Sequence, residues 1–399
     1  MQPRIQFNRM ELAGSLGDLG TLLPLAIGMI LINGLNPLGL FLSVGLFYIF
    51  SGLYFGVTSP VEPMKVISAY AISTGISASQ IQASTGWLFI FLIFIGITNI
   101  ITPVGRFISK PVIRGIQLST GILLILQGVN LMIGSAKFQL IHKAAEPYLK
   151  IQSLGPFPLG LLIGAILGLM TLLLLENKHL PAAIFVVGAG FIIGLILGTR
   201  EGFDQLRLGI HLPSFLPYGW PTAADFSFAL LVLVLPQIPM TVGNAVIANS
   251  DLSLQYFPQD GQKVTYRALC ISMALANLGS FFLGGMAMCQ GAGGLASRYR
   301  FGARTAGSNL MIGGIFVALS IFLGPNAVTL LYLMPLSALG VLLIFAGGQL
   351  SLTLIDMKSR KELFIPLLIL GITLASNLAA GFVVGVAVAY LLKWKRLTI

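Results

Sequence analysis

Apolar runs, most of them about one bilayer thick, alternate with short polar breaks along nearly the whole chain. A membrane helix needs about 20 mainly apolar residues. On that measure the runs predict fourteen spans: 11–32, 37–57, 59–75, 85–105, 111–134, 158–176, 180–198, 225–248, 265–284, 285–297, 305–323, 326–349, 362–378 and 380–393. The third and tenth are short. The pattern predicts an all-α integral membrane protein.

Where the basic residues fall orients the spans. With the N-terminus inside, cytoplasmic segments hold 17 of the 23 Lys and Arg residues, among them Arg106, Lys110, Arg114, Arg298, Arg300, Arg304, Lys358, Arg360, Lys361, Lys393, Lys395 and Arg396. The outer loops hold five (Lys137, Lys143, Lys150, Arg200 and Arg207), and Lys65 is left inside a span. That asymmetry is the positive-inside signal, with both termini cytoplasmic. The outer loop 201–224, with Pro213, Pro217 and Pro221, divides a first set of seven spans (1–200) from a second (225–399). An odd number of spans per half forces the halves into opposite orientations, which is an inverted repeat. Echoes at near-equal offsets agree with it. Gly17-Asp18 resembles Gly243-Asn244 at 226, Met64 falls over Met288 at 224, and Gly115 over Gly340 at 225.

Composition narrows the function classes. AVILMFWYC residues make up 56% and charged residues 9% of the 399 residues, against about 25% charged in soluble domains. The net charge of +11 is scattered between spans, whereas a nucleic-acid binder gathers its basic residues on one face. Cys270 and Cys289 lie in apolar context and His142, His179 and His211 in loops, so neither disulfide, metal site nor cofactor is expected. No nucleophile–base or paired-carboxylate cluster points to an enzyme. The first apolar run lacks a cleavage site and reads as a span of the mature protein. The chain is therefore read as a secondary transporter of an inner or plasma membrane, with the bilayer as its medium and no nucleic-acid partner.

Interrupted short segments at matching places in two halves are the best sequence pointer to a transporter's site. In Ser59-Pro60-Val61-Glu62-Pro63-Met64-Lys65 two prolines three apart favour extended backbone, with helix starting after Pro63. Its counterpart, 284–294, holds glycines at 284, 285, 291, 293 and 294, which let a ligand approach the backbone closely. Each segment aims a half-helix N-terminus at the midplane, a setting for an anion. Gly-rich stretches also serve helix packing. Candidate substrate residues are Glu62, Pro63, Met64, Lys65, Asn244, Met288, Cys289, Gln290, Gly291, Ala292 and Gly293.

Ionisable residues inside the membrane are functional candidates by default. Asp18, Glu62 and Lys65 qualify. Glu62 and Lys65, one turn apart, form a candidate internal pair. Asp18 is a candidate cap for a break at Gly17 and Gly20, and Asp18 and Glu62 are candidate proton carriers. Gln117 and Gln237 read as interhelical bonding groups, and Arg298, Arg300 and Arg304 as topological anchors.

These residues also carry a family resemblance. The stretch SPVEPMKVISAYA (59–71) resembles the first signature of the molybdate transporter family, usually PVQPMK. The stretch GMAMCQGAGGLASRYRFGARTAG (285–307) resembles the second, usually GxMPxCHGAGGLAxxYxFGxRxG. ELAGSLGDLGTLLP (11–24) and PVIRGIQL (111–118) also fit, so the likeness covers nearly the whole chain. It departs at Glu62 (usually Gln), Ala287 (usually Pro) and Gln290 (usually His). The resemblance implies the sulfate-permease-related fold, a seven-plus-seven inverted repeat with substrate between the third and tenth segments. It implies molybdate or a similar tetrahedral oxyanion as substrate, with protons as the expected coupling ion. Sulfate, or another anion or a nucleobase on the same fold, is the alternative cargo. It also makes a homodimer the candidate assembly. A chain ending soon after its last span is expected to lack the cytoplasmic regulatory domain of sulfate permeases.

Overall fold

The computed structural model describes residues 5–98, 100–101, 109–174, 182–199, 206 and 208–392. The expected basic residues Arg106, Arg200, Arg207, Lys393, Lys395 and Arg396, His179, and the half boundary at residue 200 lie outside them. Among the described residues seven helices are long and apolar enough to cross a bilayer, or eight if a bent pair counts as one. Shorter apolar helices, Leu159–Leu174, Ala182–Leu197 and Leu378–Leu391, accompany them.

Several expected spans take a different form. The first is bent by 44° between Arg9–Ser15 and Leu19–Leu31. At this break Gly17 lies against the Ser297–Arg298 backbone, where a Cβ would come within 2.8 Å of Arg298 N. The span expected at 225–248 is a 34-residue helix, Ala223–Tyr256, carrying Pro236 and Pro239. Its segments Ala229–Val234 and Thr241–Ala248 slip to the wider π-helical register on either side of those prolines, which absorbs their missing N–H groups. The span expected at 326–349 divides into Ala327–Leu331 and Leu336–Ser351.

Helices of the two halves interlock. Pro37–Phe55 packs on Ala306–Leu323, and its mate by symmetry, Tyr266–Leu283, packs on Ala78–Thr98. Lys110–Ile133 crosses Leu336–Ser351. Bare glycine faces permit these contacts. A Cβ on Gly45 would lie 2.8 Å from the Gly313 carbonyl oxygen, and one on Gly128 would lie 2.5 Å from that of Gly340.

The centre of the fold is a pair of half-helices, Lys65–Thr74 and Ala292–Arg300, each entered through extended backbone. The entering strands pair antiparallel, Glu62 with Cys289 and Pro63 with Met288. Their crossing in opposite directions at one point is the inverted repeat in miniature. Extended backbone in an apolar interior must find its hydrogen bonds within the protein. The Met64 amide donates to the Ala287 carbonyl at 2.8 Å. The Asn277 side chain holds both the amide and the carbonyl of Met288, and that of Asn309 holds both groups of Ser59. The residues preceding the half-helices, Met64 and Gly291, are 291 − 64 = 227 apart. The equivalent of Met64 is therefore Gly291, and the echo with Met288 at an offset of 224 was displaced by three residues.

Candidate functional site

Both half-helices begin beside one cavity of about 430 Å³. Glu62, Lys65, Asp18, Asn244 and Gly293, all anticipated from the sequence, border it, and Thr21 and Arg300 join them. The cavity runs on past Gln117, Gln349 and Thr353, toward the ends of helices that the charge pattern places at the cytoplasm.

Glu62 is buried and its carboxylate accepts from Lys65 Nζ at 3.3 Å, with Lys65 still part-exposed to the cavity. The expected internal pair is present. Lys65 is the first residue of its half-helix, so its ammonium stands at the positive helix end.

The two half-helix N-termini are not alike. In the first, the Gln237 Oε1 accepts from the amides of Val66 (3.0 Å) and Ile67 (3.4 Å), and its Nε2 donates to Thr241. Those donors are thereby consumed inside the protein. In the second, Gly291 supplies no side-chain cap. Glu62 and Asn244 instead abut Gly291, so a Cβ there would overlap Glu62 Oε2 and lie 2.9 Å from Asn244 Nδ2.

The other sequence candidates stand behind this wall rather than on it. Pro63 and Met288 are paired in the sheet, and Met64 is buried with its sulfur 3.9 Å from the Thr241 hydroxyl. Cys289 Sγ is 3.9 Å from the Pro63 carbonyl, and Ala292 is the first residue of the second half-helix. The Gln290 Nε2 donates to Ser59 Oγ at 2.7 Å, while its buried Oε1 has no partner among the described residues. Gln290 ties the two extended strands together and does not border the cavity.

Two sequence readings are corrected here. Asp18 makes no capping bond to Leu19–Leu31. Its carboxylate accepts from Tyr48 Oη (2.8 Å), the Val61 amide (3.1 Å) and Arg298 Nη1 (3.1 Å). Arg298 in turn is no surface anchor. It is fully buried and donates to Thr58, the Ser15 carbonyl, Ser308 and Asn309 as well as Asp18. A buried guanidinium needs such complete pairing, because an unpaired one would be prohibitive to desolvate. Arg304, by contrast, lays its guanidinium 3.5 Å from the Tyr299 ring centroid. The role of Arg298 was illegible because Arg298, Arg300 and Arg304 form a cluster like any other span-end cluster. Its one ionic partner among the described residues lies 280 residues away.

Comparisons with known proteins bear on what this site handles. The family described as "Molybdate transporter of MFS superfamily" matches residues 10–124 and 229–350. Molybdate transporter 2 of Arabidopsis thaliana is 30% identical, over 97% of this chain and 88% of its own length. Molybdate transporter 1 of Chlamydomonas reinhardtii is 29% identical, over 95% of this chain and 90% of its own. Among solved structures, the transmembrane domain of the cyanobacterial bicarbonate transporter BicA superposes with a TM-score of 0.65 at 16% identity, covering 97% of this chain and 98% of that one. The murine Solute Carrier 26 family member A9 anion transporter, in its inward-facing state, gives 0.67 at 15% identity over 97% of this chain and 69% of that one. A further SLC26A9 structure gives 0.65 at 17% identity over 96% of this chain, which spans 65% of that protein's length. At such identities the likeness concerns the fold, the inverted repeat with its paired half-helices.

Proposed function

Because the chain belongs to the molybdate transporter family, we propose that it takes up a tetrahedral oxyanion, molybdate before sulfate or tungstate, by proton-coupled secondary transport. The observation that carries this reading is the meeting of Lys65 with the uncapped N-terminus of Ala292–Arg300 at one cavity. An ammonium and a helix N-terminus together favour an anion rich in acceptor oxygens. Arg300 on the same wall adds positive charge along the approach. In this reading the protein sits in the inner or plasma membrane with both termini cytoplasmic. The repeats at 1–200 and 225–399 flank the outer loop 201–224, and the cavity opens to the cytoplasm.

Coupling follows from electrostatics. Moving one charge across 100 mV is worth about 2.3 kcal/mol, so a dianion enters a negative cell against roughly 4.6 kcal/mol. That is an exclusion of roughly 2,000-fold, so passive uniport could not accumulate the dianion, and in this reading protons are the coupling ion. Glu62 is the proposed proton carrier of the two cavity carboxylates, because its partner Lys65 is part-exposed to the cavity whereas the partner of Asp18 is fully buried. Asp18 is held in the ion pair with Arg298. Purified protein in liposomes tests both parts of the proposal. Acid outside should accelerate molybdate entry, and uptake indifferent to an imposed pH gradient would remove the coupling. Sulfate competing as well as molybdate would remove the substrate preference.

A further inference from the structure

The carboxylate of Glu62 lies at the N-terminus of the second half-helix. It lies against Gly291 and Gly294 at the start of the second half-helix, where a Cβ on Gly294 would come 3.0 Å from Glu62 Cδ. Asn244 Nδ2 approaches the same spot from the long helix Ala223–Tyr256, and Lys65 Nζ closes it at 3.3 Å. Thr21 lines the same cavity. A glycine cradle and an ammonium meet this carboxylate, with the Asn244 amide and the Thr21 hydroxyl on the same cavity wall. Glutamate is not needed there to hold the strands, because backbone pairing and Asn277, Asn309 and Gln290 do that.

Resting on the anion-carrier reading, we propose that Glu62 is a tethered stand-in for the transported anion, filling the seat at Ala292–Arg300 when the cavity is empty. A second anion cannot join it, since like charges in contact in a poorly hydrated site repel strongly. Substrate enters once a proton has neutralised Glu62 and the side chain has given up the seat. The surrounding charges fit this scheme. Lys65, on Glu62's own segment, cancels it. Asp18, from the break in the first span, is cancelled by Arg298. Tyr48 and Cys289, the remaining titratable neighbours, are neutral in their protonated forms. Glu62, Lys65, Asp18 and Arg298 thus sum to zero with Glu62 ionised and to one positive charge with Glu62 protonated, and Arg300 on the cavity wall adds one more positive charge in either state.

The test compares the wild-type protein with Glu62→Gln and Glu62→Ala. By calorimetry with micromolar molybdate between about pH 6 and about pH 8, wild-type affinity should fall about tenfold per pH unit, one proton per anion. Glu62→Gln should bind with little pH dependence and more tightly than wild type at the alkaline end. The same pH slope in both proteins, or weaker alkaline binding by Glu62→Gln, would overturn the proposal. A second readout needs no oxyanion. Formate should raise the thermal midpoint of Glu62→Ala by refilling the vacated seat and leave the wild type unmoved. A formate shift equal in both proteins, or in neither, would also overturn it. A formate shift in Glu62→Ala alone, with no molybdate, tungstate or sulfate binding in any protein, would uphold the seat and overturn the oxyanion reading.

Discussion

Asp18 and Arg298, 280 residues apart in sequence, meet as a fully buried ion pair at 3.1 Å. The pair joins the break in the first span to the second half-helix. Through Val61, Thr58 and Asn309 it also fixes the extended stretch that enters the first half-helix. Both walls of the site are referred to one knot.

Breaking that knot should be costly. Removing one partner of a buried pair leaves an uncompensated charge, worth about 3–5 kcal/mol. Asp18→Asn and Arg298→Met should each lower the thermal midpoint of the purified protein sharply. The double variant should lose less than the sum of the two, and additive losses would show that the pair is not coupled.

Gln237 offers a milder perturbation of the site. Gln237→Ala strips the acceptor from the Val66 and Ile67 amides, a loss of about 1–3 kcal/mol for buried donors left unmet. Gln237→Glu keeps the acceptor and should restore most of the stability while adding a negative charge beside the first half-helix. Oxyanion binding by Gln237→Glu should therefore be weaker than its stability alone would indicate.

Glycines at the crossings and glycines on open faces should respond oppositely. At Gly128 a Cβ would meet the Gly340 carbonyl oxygen at 2.5 Å, so Gly128→Ala must push two backbones apart, costing about 1–3 kcal/mol. At Gly168 and Gly188 nothing lies within 4 Å of the added atom. Alanine there should be neutral or stabilising by about 0.5–1 kcal/mol. Thermal midpoints of the three variants decide it.

Glu146, in the segment between Lys110–Ile133 and Leu159–Leu174, accepts from the amides of Leu336 and Ser337 at 2.8 and 2.9 Å. Burial pushes its carboxyl above the ordinary glutamate value, against the opposing hydrogen bonds of Ser337 and Leu336. A carboxyl raised in the folded state stabilises most when protonated, and that contribution fades as pH rises through the raised value. Between about pH 4 and about pH 7, wild type should therefore lose stability relative to Glu146→Gln. A difference that stays flat over the range would contradict this assignment.

Much of this fold was legible because the bilayer constrains sequence so tightly. Apolar runs marked the spans, Pro60 and Pro63 marked the extended entry, and the glycines at 291, 293 and 294 marked its counterpart. Long-range chemistry was not legible. Arg298 reads as a topogenic charge until Asp18 is seen beside it. The division of labour between the half-helices was hidden too, because Gln237 reads as one more polar residue in an apolar span until its carbonyl is placed on Val66 and Ile67. The side that Gln290 faces was hidden for the complementary reason. A residue next to a half-helix in sequence faces whichever side the strand's alternation dictates, here Ser59 and not the cavity.

The most direct test of the site itself is calorimetric titration of molybdate into the wild type and Lys65→Gln at about pH 6, where Glu62 is most readily protonated. Wild type should bind, and Lys65→Gln should bind at least tenfold more weakly, with the thermal midpoint showing that it remains folded. Equal binding by a folded Lys65→Gln would place the oxyanion somewhere other than between the two half-helices.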